Sequence, residues 1–226
     1  MDAKKRLLVL RDRWTGCTRC GLSKLRGSNP VVFGAGPYNA DYLIITEAPS
    51  EKDVEQNLTL SGDEGMLFED IMVDAGIDPA RRVFRTSLVA CRPYVVLPAT
   101  EDTPERIQDR TPDKTEVEAC SARITEIIYL VDPRLIIALG DGPWKTLIPT
   151  KHREGKTTIT NAAGSIFSTY IPGRLRAVRY PVLALLPPKQ LIANPSPADH
   201  APMATTKYAL EHAERYIQHL KEDERT

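Results

Sequence analysis

A chain of 226 residues, 42% hydrophobic and 27% charged, has the make-up of an ordinary globular protein and is long enough to bury a substantial core. Its 30 basic and 30 acidic residues cancel, so overall charge announces neither a nucleic-acid binder nor an acidic tail. No apolar run approaches the roughly 20 residues that span a bilayer, and the start, MDAKKRLLVLRDRW, lacks the core and cleavage site of a secretory signal; a cytoplasmic protein without a membrane partner is expected, in a cellular or a viral setting.

Residues 2–14 carry an amphipathic helical pattern, and a glycine-rich loop bearing two cysteines follows to about Tyr38. Tyr42–Thr46, YLIIT, is a compact apolar run between turn residues and predicts a buried strand that leads straight into EAPSEKD. Glu64–Ala75 spaces Met66, Leu67, Ile71 and Met72 at helical intervals, with Gly76 placed to cap its end. Val83–Ala90 predicts a second strand, and the Pro/Thr/acid-rich stretch Pro93–Pro112 a loop. Thr115–Leu130 reads as a helix opened by a Thr115/Glu118 capping box. Arg134–Leu139 predicts a third strand, after which Gly140 opens a short helix through Leu147. Lys151–Arg179 is basic and poorly patterned and reads as an insertion carrying a hairpin. Val182–Leu186 predicts the fourth strand, which stops at Pro187-Pro188, and Ala201–Lys221 the closing helix. Buried strands alternating with helices predict an α/β protein with a parallel, doubly wound sheet of four strands and right-handed crossovers. Residues 1–226 read as one domain, with insertions at 94–114 and 151–179.

The four cysteines are Cys17, Cys20, Cys91 and Cys120. Cys17 and Cys20 form a C-x-x-C in GCTRCGL, a spacing that presents two thiolates to one metal centre; Cys91 stands at a strand end and Cys120 within a helix. Disulfides are disfavoured without a secretory signal. Structural zinc sites as a rule bring two close cysteine pairs, whereas a 4Fe–4S cluster accepts distant third and fourth ligands. In the plainest reading Cys91 and Cys120 are small buried hydrophobes. Spacing alone leaves these alternatives open.

The run VVFGAGPYNADYLIITEAPSEKD resembles the opening of the family 4 uracil-DNA glycosylases, the iron–sulfur branch of that superfamily. Members begin with C-x-x-C, pass through a V-F-G-x-G segment and reach G-E-A-P-G after the first strand. Their third cysteine lies in K-C-R-P, as in Ala90-Cys91-Arg92-Pro93; their fourth lies in the next helix, as in Ala119-Cys120; and a later strand ends in A-L-G, as in Ala138-Leu139-Gly140. The resemblance implies a three-layer α/β sandwich and a DNA-binding monomer. It also implies a 4Fe–4S cluster held by Cys17, Cys20, Cys91 and Cys120, with residues 1–38 as the cluster-binding segment. In that family the cluster is structural and lies near the DNA-binding face.

A glycosylase of this type flips a base into a pocket at the C-terminal ends of the strands. Glu47, Ala48 and Pro49 stand on the family's E-A-P, and Asp53 on an acidic position of the same loop. Carboxylates orient water and favour positive charge developing on the sugar, so Glu47 and Asp53 are the candidate catalytic residues, against the plainer reading of solvated loop acids or caps. Other pocket positions depart from the family. Leu60 replaces a stacking Phe, a face worth about 1–3 kcal/mol per stacked base. Ser87 stands in place of an Asn that reads the uracil edge, and one hydroxyl does not reproduce the paired donor and acceptor of an amide. Aligning PVLALLPPKQLIANP with the family's final strand puts Pro187 in place of the base-binding His; a rival alignment offers Asn194 as a donor near the base. The resemblance therefore implies a base-flipping enzyme that acts on a modified or non-uracil base, cutting its N-glycosidic bond or remodelling it. The alternative is a catalytically inactive DNA-binding or assembly factor with the same fold.

Overall fold

The computed structural model describes residues 3–28, 30–100, 103–153, 155–172, 177–192 and 201–224. Helix α1 (Ala3–Thr15) and a 3-10 segment (Gly21–Ser28) precede strand β1 (Tyr42–Thr46). Helices α2 (Glu51–Gln56), α3 (Asp63–Asp74) and α4 (Pro79–Arg82) lead to β2 (Val83–Ser87). A hairpin of β3 (Tyr94–Leu97) and β4 (Arg106–Asp109) follows, then α5 (Lys114–Val131), β5 (Leu135–Leu139), α6 (Asp141–Leu147) and α7 (Ile159–Ala162). The chain closes through β6 (Ile166–Ile171), β7 (Val178–Leu185), α8 (Pro188–Ile192) and α9 (Ala201–Asp223).

The central sheet has five strands in the order β2-β1-β5-β7-β6. Its four parallel strands are those expected from the apolar runs, with β1 paired to β2 and β5, and β5 to β7. Every residue of β1 and β5 is buried, as happens when helices cover both faces of a parallel sheet. The fifth strand corrects the expected count of four. Strand β6, from the stretch read as an insertion, pairs antiparallel with β7. It alternates buried Phe167, Thr169 and Ile171 with outward Ile166 and Tyr170, the signature of an edge strand with one wet face.

Two further corrections are local. The Pro93–Pro112 stretch holds the antiparallel hairpin β3–β4, whose register runs from Tyr94 opposite Asp109 to Leu97 opposite Arg106. Helix α5 is capped by Asp113 rather than Thr115: the Asp113 carboxylate accepts from Glu116 N, and the Glu116 carboxylate accepts from Asp113 N. Arg110 adds two bonds to Glu116, which fixes the earlier start.

Outside β2 runs the segment Val32–Gly36. Val32 N donates to Ala90 O, and Ala35 and Arg85 exchange a pair of backbone bonds. Gly34 and Gly36 hold φ of +116° and +143°, and a Cβ there would come within 2.5 Å of Arg85 O and Phe84 Cα respectively, so only glycine lets the segment lie this close. At the opposite end of the strands from the loop after β1, Arg82 bridges Asp41 and Glu214, and Lys221 and Arg134 also reach Asp41.

Candidate functional site

From β1 the chain passes outward to β2, then returns to place β5 on the other side of β1, so the strand order reverses between β1 and β5. Loops leaving the C-terminal ends of strands on either side of such a reversal part and leave a crevice. Here it is an open cleft of about 810 Å³, lined by the loop after β1 (Thr46–Asp53), Leu60–Gly65, Leu139–Asp141, Thr158–Thr160 and Pro187–Gln190. Arg92, Asp109 and Arg110 contribute one rim, where Arg92 bonds Asp109 of the hairpin and Glu51 of α2.

Glu47 leaves β1 directly into this cleft. Its carboxylate is half-buried and takes no hydrogen bond from any of the described residues. It rests on the backbone of α6: a Cβ at Gly142 would lie 3.1 Å from Glu47 Cδ. Burial, and then the negative charge of Asp141, push the Glu47 carboxyl above the ordinary range. Asp141 is itself held in place by Ile159 N and Lys145.

The other expected site residues fall into three groups. Ala48, Pro49, Leu60 and Pro187 line the cleft. Leu60 does so in the left-handed region, φ 60°, and its carbonyl leaves no space for a Cβ on Gly65. Pro187 stands across from Gly140, while Pro188 opens α8, where a missing N–H costs no helical bond. Asp53 lines the cleft as well, but its carboxylate serves the loop: it accepts from Ser50 N, Ser61 N and Ser61 Oγ, capping α2 and pinning the turn that carries Leu60. Ser87 is fully buried one layer behind the wall, with its hydroxyl 2.7 Å from Thr46 Oγ1. Asn194 lies outside the described residues.

The four cysteines, from three distant parts of the chain, line one small apolar cavity together with Trp14, Leu22 and Val31. None is in a disulfide. The space between them is about 10 Å³, and among the described residues no three His, Cys, Asp or Glu side chains converge closely enough to hold a single metal ion. Burial pushes the Cys20 thiol up against a backbone hydrogen bond from Leu22, and neighbouring Cys120, Glu116 and Cys17 add to the rise. Beside them lies Arg123, fully buried on α5, donating to Phe33 O, Thr86 Oγ1, Ser87 O and Leu88 O.

Asp141, Gly142, Lys189 and Arg123 stand in no motif that marks them as site residues. Asp141 and Gly142 reach Glu47 only through sheet topology, which no local pattern encodes. Lys189 follows the double proline on the cleft wall, and its place was legible once Pro187 was assigned there. An arginine at helical spacing within an apolar stretch was the available sign for Arg123.

Comparison with known proteins agrees with this architecture. The model of the uracil DNA glycosylase superfamily matches residues 33–211. The type-4 uracil-DNA glycosylase of Pyrobaculum aerophilum is 28% identical over 198 residues, 87% of this chain and 87% of that protein. That of Thermotoga maritima is 27% identical over 159 residues, 70% of this chain and 71% of the relative. A DNA polymerase of Bacillus phage SP01 is 29% identical over 154 residues, 68% of this chain and 14% of that protein. The family match runs from the segment edging β2 into α9 and takes in the whole central sheet: the chain belongs to the uracil DNA glycosylase superfamily.

Proposed function

We propose that this protein binds DNA, draws a flipped base into the cleft at the β1/β5 reversal, and acts on a modified or enlarged base in preference to plain uracil. The observation that carries the reading is Glu47: a half-buried carboxylate in the cleft, bonded to none of the described residues and poised above the ordinary carboxylate range. Ionised, it takes a proton from water while the water oxygen adds to the sugar C1′ and the electron pair of the glycosidic bond leaves with the base. Leu60 and Pro187, both on the cleft lining, supply volume and apolar surface where the resemblance expects a stacking ring and an imidazole. That exchange favours a bulkier base and removes the donor that would steady departing uracil. Lys189, on the Pro187 side, brings a cation to the same wall.

The cysteines fit a structural cofactor. Four thiols and an apolar lining are the donor chemistry of an iron–sulfur cluster, and Arg123 Nε and Trp14 Nε1 are buried beside them without hydrogen-bond partners among the described residues. Cys17 and Cys20, Cys91 and Cys120 would hold the cluster. Held by these four thiols, a cluster would tie the N-terminal loop to the end of β2 and to α5 as a structural clasp.

An excision assay on oligonucleotides carrying uracil and a panel of modified pyrimidines tests the reading. Release of an enlarged base by the wild-type protein, abolished in Glu47→Gln, is the expected result. Robust uracil release refutes the substrate assignment, and no release from any substrate in the panel supports the inactive DNA-binding alternative.

A further inference from the structure

Arg123 poses a charge problem. It is fully buried; backbone and hydroxyl bonds go to the neutral acceptors Phe33 O, Thr86 Oγ1, Ser87 O and Leu88 O, and its side chain also bonds that of Cys120. No carboxylate pairs with it among the described residues, and its Nε has no partner there. A guanidinium stays protonated, so its counter-charge must come from elsewhere. The ionisable groups that bear on it are the thiols of Cys120, Cys91 and Cys17. Cys120 lies three residues before Arg123 on α5, the spacing that puts two side chains on one helix face.

A second orphan donor lies at the same place. Trp14 is buried at 3% exposure, its Nε1 has no partner among the described residues, and its ring lines the cysteine cavity. The Arg19 guanidinium lies 4.6 Å over that ring, outside the cavity lining. An indole N–H without a partner among the described residues thus lies at the cysteine cavity, and a buried guanidinium bonded to Cys120 lies behind it. Neutral thiols accept hydrogen bonds weakly and offer no charge; four thiolates around a cluster carry net negative charge and accept both.

We infer that Arg123 and Trp14 are the counter-charge and hydrogen-bond donors of the group held by Cys17, Cys20, Cys91 and Cys120, and that they keep its reduction potential high. The inference rests on the reading that these thiolates hold an iron–sulfur cluster. Positive charge and N–H···S bonds favour the state carrying the extra electron, so removing either moves the potential to more negative values. Both are positioning residues and touch no base.

The test uses the full chain purified without oxygen. Iron and acid-labile sulfide are quantified, and the reduction potential is read by spectroscopic titration in wild type, Trp14→Phe and Arg123→Gln. Trp14→Phe keeps an aromatic side chain but loses the indole N–H together with part of the buried ring volume; it is expected to retain iron and shift the potential negatively. Arg123→Gln is expected to shift it further, and should that variant misfold, Trp14→Phe decides alone. A purely structural role lowers thermal stability and leaves the potential unmoved, which overturns the inference while sparing the cluster. A wild-type chain with zinc or without iron overturns the cluster reading and the inference with it.

Discussion

Replacing Gly142 by alanine perturbs Glu47 without touching it chemically. The new Cβ would lie 3.1 Å from Glu47 Cδ and 3.2 Å from Cγ, and nearer still to one carboxylate oxygen. Carbon atoms rest at about 3.5–4.0 Å, so the carboxylate must retreat by roughly 0.5–1 Å. It is the free end of a side chain with open cleft beside it, so the retreat costs little. Alanine gains up to about 1 kcal/mol of helix propensity, opposed by crowding against the following Pro143. Unfolding stability should therefore stay within about 1 kcal/mol of wild type. Catalysis is less tolerant: a misplacement of about 1 Å costs on the order of 100-fold, or about 2.7 kcal/mol of barrier. Single-turnover excision on the best substrate from the oligonucleotide panel, paired with denaturant unfolding, separates the two effects. The displaced carboxylate also moves toward water, so the acid limb of the pH–rate profile should shift to lower pH. Full activity with an unmoved acid limb, in a protein that still requires Glu47, would refute the role given to that contact.

Glu47→Gln should stabilise the folded protein near neutral pH. The folded carboxyl sits above its unfolded value, so ionised Glu47 opposes folding at high pH and the penalty disappears as pH falls below the unfolded value; thermal unfolding across pH should show the two proteins converging in acid. Arg82→Met should cost about 3 kcal/mol in chemical denaturation, because it strips a guanidinium from the buried carboxylates of Asp41 and Glu214. Burial works against ionised Glu214, but bonds from Arg82, Tyr42 and Gln218 hold its carboxyl below the ordinary range. Stability from that site should accordingly fade only as pH drops through the depressed value, and fade earlier in Arg82→Met. Gly65→Ala offers the converse of Gly142→Ala: its Cβ lands on the Leu60 carbonyl, a rigid backbone obstacle, and should cost about 1–3 kcal/mol and disorder the cleft wall, read by unfolding and by amide exchange.

How far the sequence reveals this molecule depends on how local each signal is. YLIIT and LIIAL announce themselves because strands buried on both faces are continuous apolar runs. IFSTYI hides because its alternation is short and sits in a basic stretch, and RIQD because all four residues face water. Glu47, Ala48, Pro49, Leu60 and Pro187 were found by motif and stand on the cleft. Ser87 is buried directly behind the cleft, its hydroxyl bonded to Thr46 of the lining; in a sheet covered on both faces, a motif position does not reveal how deep a side chain lies. Asp53 had the right loop, and the capping geometry that engages its carboxylate emerges only once Ser50 and Ser61 fold around it.

The segment along β2 has a bearing on handling the protein. β2 is the outermost strand on its side of the sheet, and Val32–Gly36 is what covers its free edge. That cover follows the Cys17–Cys20 loop through the 3-10 segment Gly21–Ser28, and Val31 packs against the cysteines, so oxidation or chelation that loosens the loop also bares a row of backbone donors and acceptors. An exposed edge of this kind recruits strands from other molecules. Preparations in which the cysteine loop has come loose should therefore clump while their helices and inner strands are still intact, and a reducing, chelator-free buffer should keep them dispersed.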